Sequence, residues 1–320
     1  MKNAFMIVNP VSGTLKARDS LFTVIDRLTS GGVQPTVRYT RYRGHAGKLA
    51  AAAAASGKYD GIVCLGGDGT LNEVNCGMIS AGVSLPVGYI PTGVTNDFAS
   101  GLGIPLDPGE AATDVALSMR EGLTLPIDTG RFGDSRTFSY IASFGAFSQS
   151  SYGASQPVKN ALGYLAYVLH GIGDFFRIRP IHTVCVADGR KIEGDFVFGG
   201  VCNTYSVGKI VKLDRTLVDM GDGKLEIVLA YKPNDINEFN RLIAAAASSD
   251  LSSDMFVFLR ASEISFKLPE GTDWSLDGEL ATDVPEVKIG VIPRSLELLC
   301  SHGRRPSQKA PKKAEKGENA

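Results

Sequence analysis

One short stretch limits the fold more than any other. Four consecutive apolar residues, Ile62-Val63-Cys64-Leu65, run straight into Gly66-Gly67-Asp68-Gly69-Thr70 and then into a helical pattern over 71–80. An unbroken apolar run of strand length suits a strand covered on both faces, the situation of a parallel sheet flanked by helices. The same rhythm recurs on either side. A strand over 4–8 leads through Asn9-Pro10-Val11-Ser12-Gly13 into an amphipathic segment over 15–28. A strand over 36–40 leads into an alanine-rich helix over 45–56, and a further strand follows over 87–90. Strands alternating with helices across short loops predict a parallel α/β sheet whose ligands sit at the carboxyl ends of its strands.

After Pro126 the texture changes. Apolar or alternating runs over 137–144, 181–187, 195–201, 225–230, 263–268 and 287–291 are punctuated by Asp188-Gly189, Gly221-Asp222-Gly223 and Asp277-Gly278. These predict a β-rich second domain with helical insertions near 159–176 and 235–249. The expected organisation is an α/β domain over 1–126, a β-rich domain over 127–302 and a disordered basic tail over 303–320. The tail has almost nothing apolar and carries six basic residues against two acidic ones.

Composition removes other classes. A net charge of −1 with 43% hydrophobic residues is ordinary globular composition, and it excludes a nucleic-acid-coating protein. Five cysteines, odd in number and without a C-x-x-C pair, suggest neither a disulfide framework nor a zinc site. With no signal-peptide core and no apolar stretch of spanning length, the expected location is cytoplasmic. Glycine is the outlier, at 37 of 320 residues. Such an excess asks which bends or ligand cradles need it.

The Gly66–Thr70 loop, between a buried strand and a helix, is where backbone N–H groups and the helix dipole converge on an anion. Glycine lets the main chain approach phosphate oxygens closely. A carboxylate at Asp68 inside such a loop points to a bridging Mg²⁺ or a water network that binds one. Thr70 can donate to a phosphate or cap the helix, and a plain strand-to-helix turn explains the same residues. Gly47-Lys48 does not complete G-x-x-x-x-G-K-[ST], since Tyr42 and Leu49 stand at its outer positions, and no G-x-G-x-x-G follows the first strand.

Four segments in register, Asn9–Gly13, Gly66-Gly67-Asp68-Gly69-Thr70-Leu71-Asn72-Glu73, Pro91-Thr92-Gly93-Val94-Thr95-Asn96-Asp97 and Asp277-Gly278-Glu279, resemble the diacylglycerol kinase catalytic-domain family. Within it, the chain is most similar to the bacterial lipid kinase branch, related to sphingosine and ceramide kinases. The resemblance implies an α/β nucleotide-binding domain followed by a β-sandwich domain, with ATP and a lipid hydroxyl meeting between them. It places Asn9, Ser12, Gly13, Thr40, Gly66, Gly67, Asp68, Gly69, Thr70, Asn72, Glu73, Gly93, Thr95 and Asn96 around the nucleotide.

The same resemblance implies that Asp68, Asp97 and Asp128 surround a catalytic Mg²⁺, and that Glu279 accepts the hydroxyl proton. It also marks Asp219, Asp222 and the carbonyl of Lys224 as a second Mg²⁺ loop. Val94 stands where the family carries Thr, so either Thr95 or water takes over the hydroxyl contact or nucleotide affinity is lower. Asp277-Gly278 reads independently as a hairpin turn. Expected partners are ATP, a lipid with a free hydroxyl such as diacylglycerol, and peripheral contact with an anionic membrane surface. The aromatic stripe over 164–176 reads as core first, with an acyl groove or a membrane-touching face as alternatives, and the tail as either a solvated segment or an attraction to anionic headgroups. Monomer and homodimer both remain open. An NAD kinase-like enzyme and a nucleotide-binding relative without catalysis are the alternatives.

Overall fold

The computed structural model describes residues 1–13, 15–145, 179–207, 211–213 and 218–301. The helix expected over 159–176 and the tail over 303–320 lie outside them. The first part is the expected α/β unit. It comprises β1 (Lys2–Val8), α1 (Lys16–Asp19), α2 (Leu21–Ser30), β2 (Val33–Tyr39), α3 (His45–Ala55), β3 (Gly61–Gly66), α4 (Asp68–Ala81), β4 (Val87–Pro91), α5 (Asp97–Leu102) and α6 (Pro108–Glu121).

Strands β2, β1, β3 and β4 lie side by side and parallel. Alternate residues of β1 enter two cores. Ala4, Met6 and Val8 pack under α2 and α6, while Phe5 and Ile7 pack under α3 and α4. All six residues of β3 are buried, as a strand covered on both faces requires.

Two local departures have physical causes. The single helix expected over 15–28 is split at Ser20, whose hydroxyl donates to Lys16 O at 2.8 Å and competes with the helical ladder. The helix expected from 71 begins at Asp68, so Gly69 and Thr70 form its first turn. Gly47 and Gly77 bring α3 and α4 into backbone contact, because a Cβ on Gly77 would lie 2.3 Å from Gly47 O. This close crossing is the structural use of a glycine that fits no phosphate motif.

The strand-rich part comprises β5 (Thr124–Phe132), β6 (Arg136–Phe138), β7 (Ile141–Gly145), β8 (Ile181–Ala187), β9 (Arg190–Cys202), β10 (Ser206–Val207), β11 (Val211–Lys212) and β12 (Leu225–Tyr231). It continues with α7 (Ile236–Ser248), β13 (Phe256–Ala261), β14 (Glu263–Lys267), β15 (Trp274–Leu276), β16 (Glu279–Ala281) and β17 (Glu286–Leu299). Asp235 caps α7 by accepting from Asn237 N and Glu238 N. Trp274 is fully buried among Phe132, Phe144 and Phe266.

Strand β17 joins the two parts. Its first half pairs with β14, it runs antiparallel to β5, and Leu298–Leu299 close parallel to β4. The register with β5 shifts between Ile292 and Leu296, and this bulge contains Arg294 with φ +48°. No helix among the described residues is long and apolar enough to cross a membrane.

Candidate active site

The strand order β2-β1-β3-β4 means that the chain leaves β1 in one direction and crosses over it to reach β3. The carboxyl ends of β1 and β3 therefore flank a topological switch point, where the departing loops diverge and leave a crevice. A cleft of about 650 Å³ lies there, lined by Asn9–Ser12, Thr40–Arg43, Gly67, Gly69, Thr70, Glu73 and Glu279.

Two loops that line it, Asn9–Ser12 and Gly67–Thr70, are held in close backbone contact with a third, Thr92–Asn96, which lies outside the lining. Gly13 has φ +58°, and a Cβ there would lie 1.8 Å from Thr92 O, so only glycine fits. Gly67 packs on Gly93, where a Cβ on Gly93 would meet Gly67 Cα at 2.9 Å. Asn9 donates through Nδ2 to Thr70 Oγ1 at 3.0 Å, which ties the Asn9–Gly13 loop to the first turn of α4. Thr70 is thus an internal brace. Gly69, by contrast, faces open space at the head of α4.

Thr40 follows β2 directly and donates its N–H to Val8 O. Asn96 initiates α5 with φ +49° and donates to Gly93 O. Its Oδ1 and the hydroxyl of Thr92 are buried with no hydrogen-bond partner among the described residues. Val94 is 82% exposed on the same turn, so it fills no space in the cradle.

Asp68 is held from two sides. Its Oδ1 accepts from Tyr89 OH at 2.9 Å and its Oδ2 from Asp97 N at 2.8 Å. Burial pushes its carboxyl above the usual range and the Asp97 charge adds to the rise, against the lowering by these two donors. Neighbouring groups feel the same negative field. Tyr89 and Cys64 are pushed up by burial and by Asp68, and Cys76 by burial and by Asp277 and Glu279. Asp68 and Asp97 bring carboxylate oxygens, the donor type a hard divalent cation takes, side by side at the heads of α4 and α5.

Glu279 reaches the cleft from the other part of the chain. The Asp277-Gly278 hairpin has φ +49° and +87°, and it pairs Leu276 with Glu279. Asp277 accepts three backbone N–H groups, from Ser139 at 2.6 Å, Tyr140 at 2.9 Å and Ile141 at 2.8 Å. Burial nevertheless pushes its carboxyl up to about 6. The turn is therefore pinned to the β6–β7 connection, and this fixes where Glu279 emerges.

The Glu279 carboxylate forms an ion pair with Arg43 at 2.6 Å. Glu73 does not face the cleft as a free carboxylate. Its oxygens accept from Gly44 N at 2.8 Å and Ala46 N at 3.2 Å, anchoring the loop that carries Arg43. Asn72 accepts from Ser139 Oγ at 3.0 Å and so links α4 to the same connection. A second, smaller cleft of about 260 Å³ adjoins the first. It is lined by Asn72, Cys76, Ile79, Arg136, Thr137 and Leu276, and it shares Arg43, Gly69, Glu73 and Glu279 with the larger one.

Asp128 lies outside both clefts. It is fully buried, with one oxygen accepting from Arg294 N and the other from Gly223 N, both at 2.6 Å. It therefore clamps the β17 bulge to the Asp219–Lys224 loop. Within that loop Asp219 accepts from Gly221 N and Asp222 accepts from Lys224 N. The outer oxygen of Asp222 is paired with Arg260 at 2.5 Å, and Arg260 also binds the fully buried Glu226 at 3.1 Å. Arg260 thus already neutralises the Asp222 carboxylate of this loop, while Asp219 lies outside that pair. Among the described residues no cluster of three His, Cys, Asp or Glu could hold a metal.

Arg43, Tyr89 and Asp277 are the residues that sequence reasoning did not single out as part of the site. For Asp277 the signal was present in Asp277-Gly278-Glu279 but was absorbed by its turn function. Arg43 and Tyr89 leave no local mark.

Residues 3–132 match the diacylglycerol kinase catalytic domain family. The chain is 32% identical to a diacylglycerol kinase of Bacillus subtilis (strain 168) over 288 residues, covering 89% of this chain and 92% of that one. It is 30% identical over 269 residues to a probable YegS-like lipid kinase of Pseudomonas putida, covering 83% and 86%. The fold matches the crystal structure of a diacylglycerol kinase from Bacillus anthracis with a TM-score of 0.71 at 20% identity, over 93% of this chain and 97% of that one. Identity on this scale across nearly the whole chain means that the chain belongs to the diacylglycerol kinase family of lipid kinases.

Proposed function

We propose that this enzyme transfers the γ-phosphoryl group of ATP to the free hydroxyl of a lipid, with diacylglycerol as the acceptor. The observation that carries the proposal is the position of Glu279 where the two clefts meet. The larger cleft takes the nucleotide, with its phosphates over the Asn9–Gly13, Gly66–Thr70 and Gly93–Asn96 loops and the head of α4. The smaller one takes the lipid headgroup. The acceptor hydroxyl then lies beside a carboxylate and in line with the γ-phosphorus, the positioning that phosphoryl transfer needs.

Glu279 accepts the hydroxyl proton as the new P–O bond forms, and the bond from the γ-phosphorus to the β-bridging oxygen breaks to release ADP. Mg²⁺ bound with the nucleotide beside Asp68 and Asp97 supplies charge neutralisation at the phosphate oxygens. Asp68 holds the head of α5 through Asp97 N. Asp128 enters as a brace, as does the Asp219–Lys224 loop with Asp222 neutralised by Arg260. The lipid acceptor requires contact with a membrane surface, and the basic tail adds attraction to anionic headgroups.

The test incubates purified protein with labelled ATP and Mg²⁺, separately with diacylglycerol in mixed micelles, with other hydroxyl-bearing lipids and with NAD. Label in phosphatidate, lost in Glu279→Gln, is the expected result. Label in no lipid extract overturns the proposal, label in NADP replaces it with an NAD kinase, and full turnover by Glu279→Gln displaces that residue as the base.

A further inference from the structure

The backbone of the Thr40–Gly44 loop is fixed at several points. Glu73 accepts from Gly44 N and Ala46 N, His45 Nδ1 accepts from Arg41 N at 3.1 Å, and the Tyr42 ring stacks on His45 with centroids 4.5 Å apart. The Arg43 side chain is not fixed in this way. It is 75% exposed, and the ion-pair contact it makes is with Glu279, itself 42% exposed. A long cation on a rigid base can swing within the cleft at little cost, because an exposed ion pair is worth little.

The cleft it swings in is the one that takes the triphosphate. Arg43 and Glu279 line the same cleft as Gly67, Gly69 and Thr70, the residues over which the phosphates are proposed to lie. A triphosphate arriving there outbids a single carboxylate for a guanidinium, since it brings more charge and permits bidentate hydrogen bonding.

Resting on the reading that this cleft binds ATP, we propose that Arg43 is a positioning residue exchanged between Glu279 and the nucleotide phosphates. Without ATP it holds the Glu279 carboxylate at the cleft mouth. With ATP bound it turns to the β- and γ-phosphates, and Glu279 is left free to receive the hydroxyl proton. The enzyme's base is thus uncovered by the arrival of its phosphoryl donor. Glu73 sets the pivot from which the side chain turns.

Calorimetric titration with a non-hydrolysable ATP analogue and Mg²⁺, and separately with AMP, tests this in four proteins: wild type, Arg43→Ala, Glu279→Gln and the double variant. Arg43→Ala weakens the ATP analogue about tenfold or more and leaves AMP unchanged, because a charge-assisted phosphate contact is lost. Glu279→Gln tightens the analogue in the Arg43 background by about two- to fivefold, the range of an exposed ion pair released before binding. The tightening is smaller in the Arg43→Ala background, where no pair has to open, and Arg43→Lys restores part of the affinity.

Equal binding by wild type and Arg43→Ala, or the same response to Glu279→Gln in both backgrounds, overturns the exchange while leaving ATP binding intact. A wild-type protein that binds no ATP analogue overturns this inference and the functional proposal together.

Discussion

Removing the Arg260 guanidinium should make stability strongly dependent on pH. Glu226 is fully buried on β12, opposite Arg260 of β13, with Oε1 3.1 Å from Arg260 Nε and Oε2 without a partner among the described residues. Burial, only partly offset by Arg260, pushes its carboxyl up to about 7 from an ordinary 4.5. The folded state therefore holds a proton that the unfolded chain releases, and stability falls as pH rises from about 4.5 through 7. At 1.36 kcal/mol per unit this single group accounts for about 3 kcal/mol across that window.

In Arg260→Ala the carboxylate loses its neutralising partner. Breaking a buried pair from one side costs about 3–5 kcal/mol, and Arg260 is 29% exposed, so the lower end applies. At pH 8 the variant should lose about 3 kcal/mol. At pH 5 Glu226 is protonated in both proteins, and the loss shrinks to about 1 kcal/mol for the missing hydrogen bond and the Asp222 contact. Urea denaturation at the two pH values measures both numbers. Adding Glu226→Gln to the variant should recover most of the pH 8 loss. An equal loss at both pH values would refute the reasoning, since it would mean that no buried charge is being left behind.

Two other perturbations test the cradle. Gly13→Ala places a Cβ 1.8 Å from Thr92 O at φ +58°, so it should cost about 2 kcal/mol or more from left-handed strain and backbone displacement. It should lower the melting temperature by several degrees and weaken ATP binding in the same protein; unchanged melting would place Gly13 in a looser loop. Glu73→Gln leaves one acceptor oxygen for the N–H groups of Gly44 and Ala46, and the loosened loop should raise KM for ATP by about tenfold with the protein still folded. An unaltered KM would assign the anchoring of Arg43 to other contacts.

What could be read from the sequence was local. The apolar run 62–65 ending in Gly66-Gly67-Asp68-Gly69-Thr70 marked a buried strand feeding a helix, because burial on both faces leaves its trace in consecutive residues. Asp277-Gly278 marked a two-residue hairpin, because a turn with positive φ at both central residues restricts residue type. Asp235 marked a helix start for a different reason, a side-chain cap whose donors lie two and three residues on. The order of strands and helices in the first part followed from these signals. The split at Ser20 did not, because it depends on one hydroxyl choosing a carbonyl over solvent.

The tertiary structure alone decided what each carboxylate does. Asp277 takes N–H groups 138, 137 and 136 residues away, and Asp128 takes one 166 residues away on the bulge of β17. Arg43 meets Glu279, and Arg260 meets Glu226, only once strand register has brought distant segments together. No spacing in the chain records such pairs, since loop closure lets any two segments of suitable shape meet. The sequence by itself determined that a glycine-rich strand-to-helix loop and a carboxylate-bearing hairpin exist. The fold determined that they share one cleft, that Asp128 ties the β17 bulge to the Asp219–Lys224 loop away from it, and that Arg43 pairs with Glu279 at its wall, because those facts belong to packing across the β17 junction and not to any local run of residues.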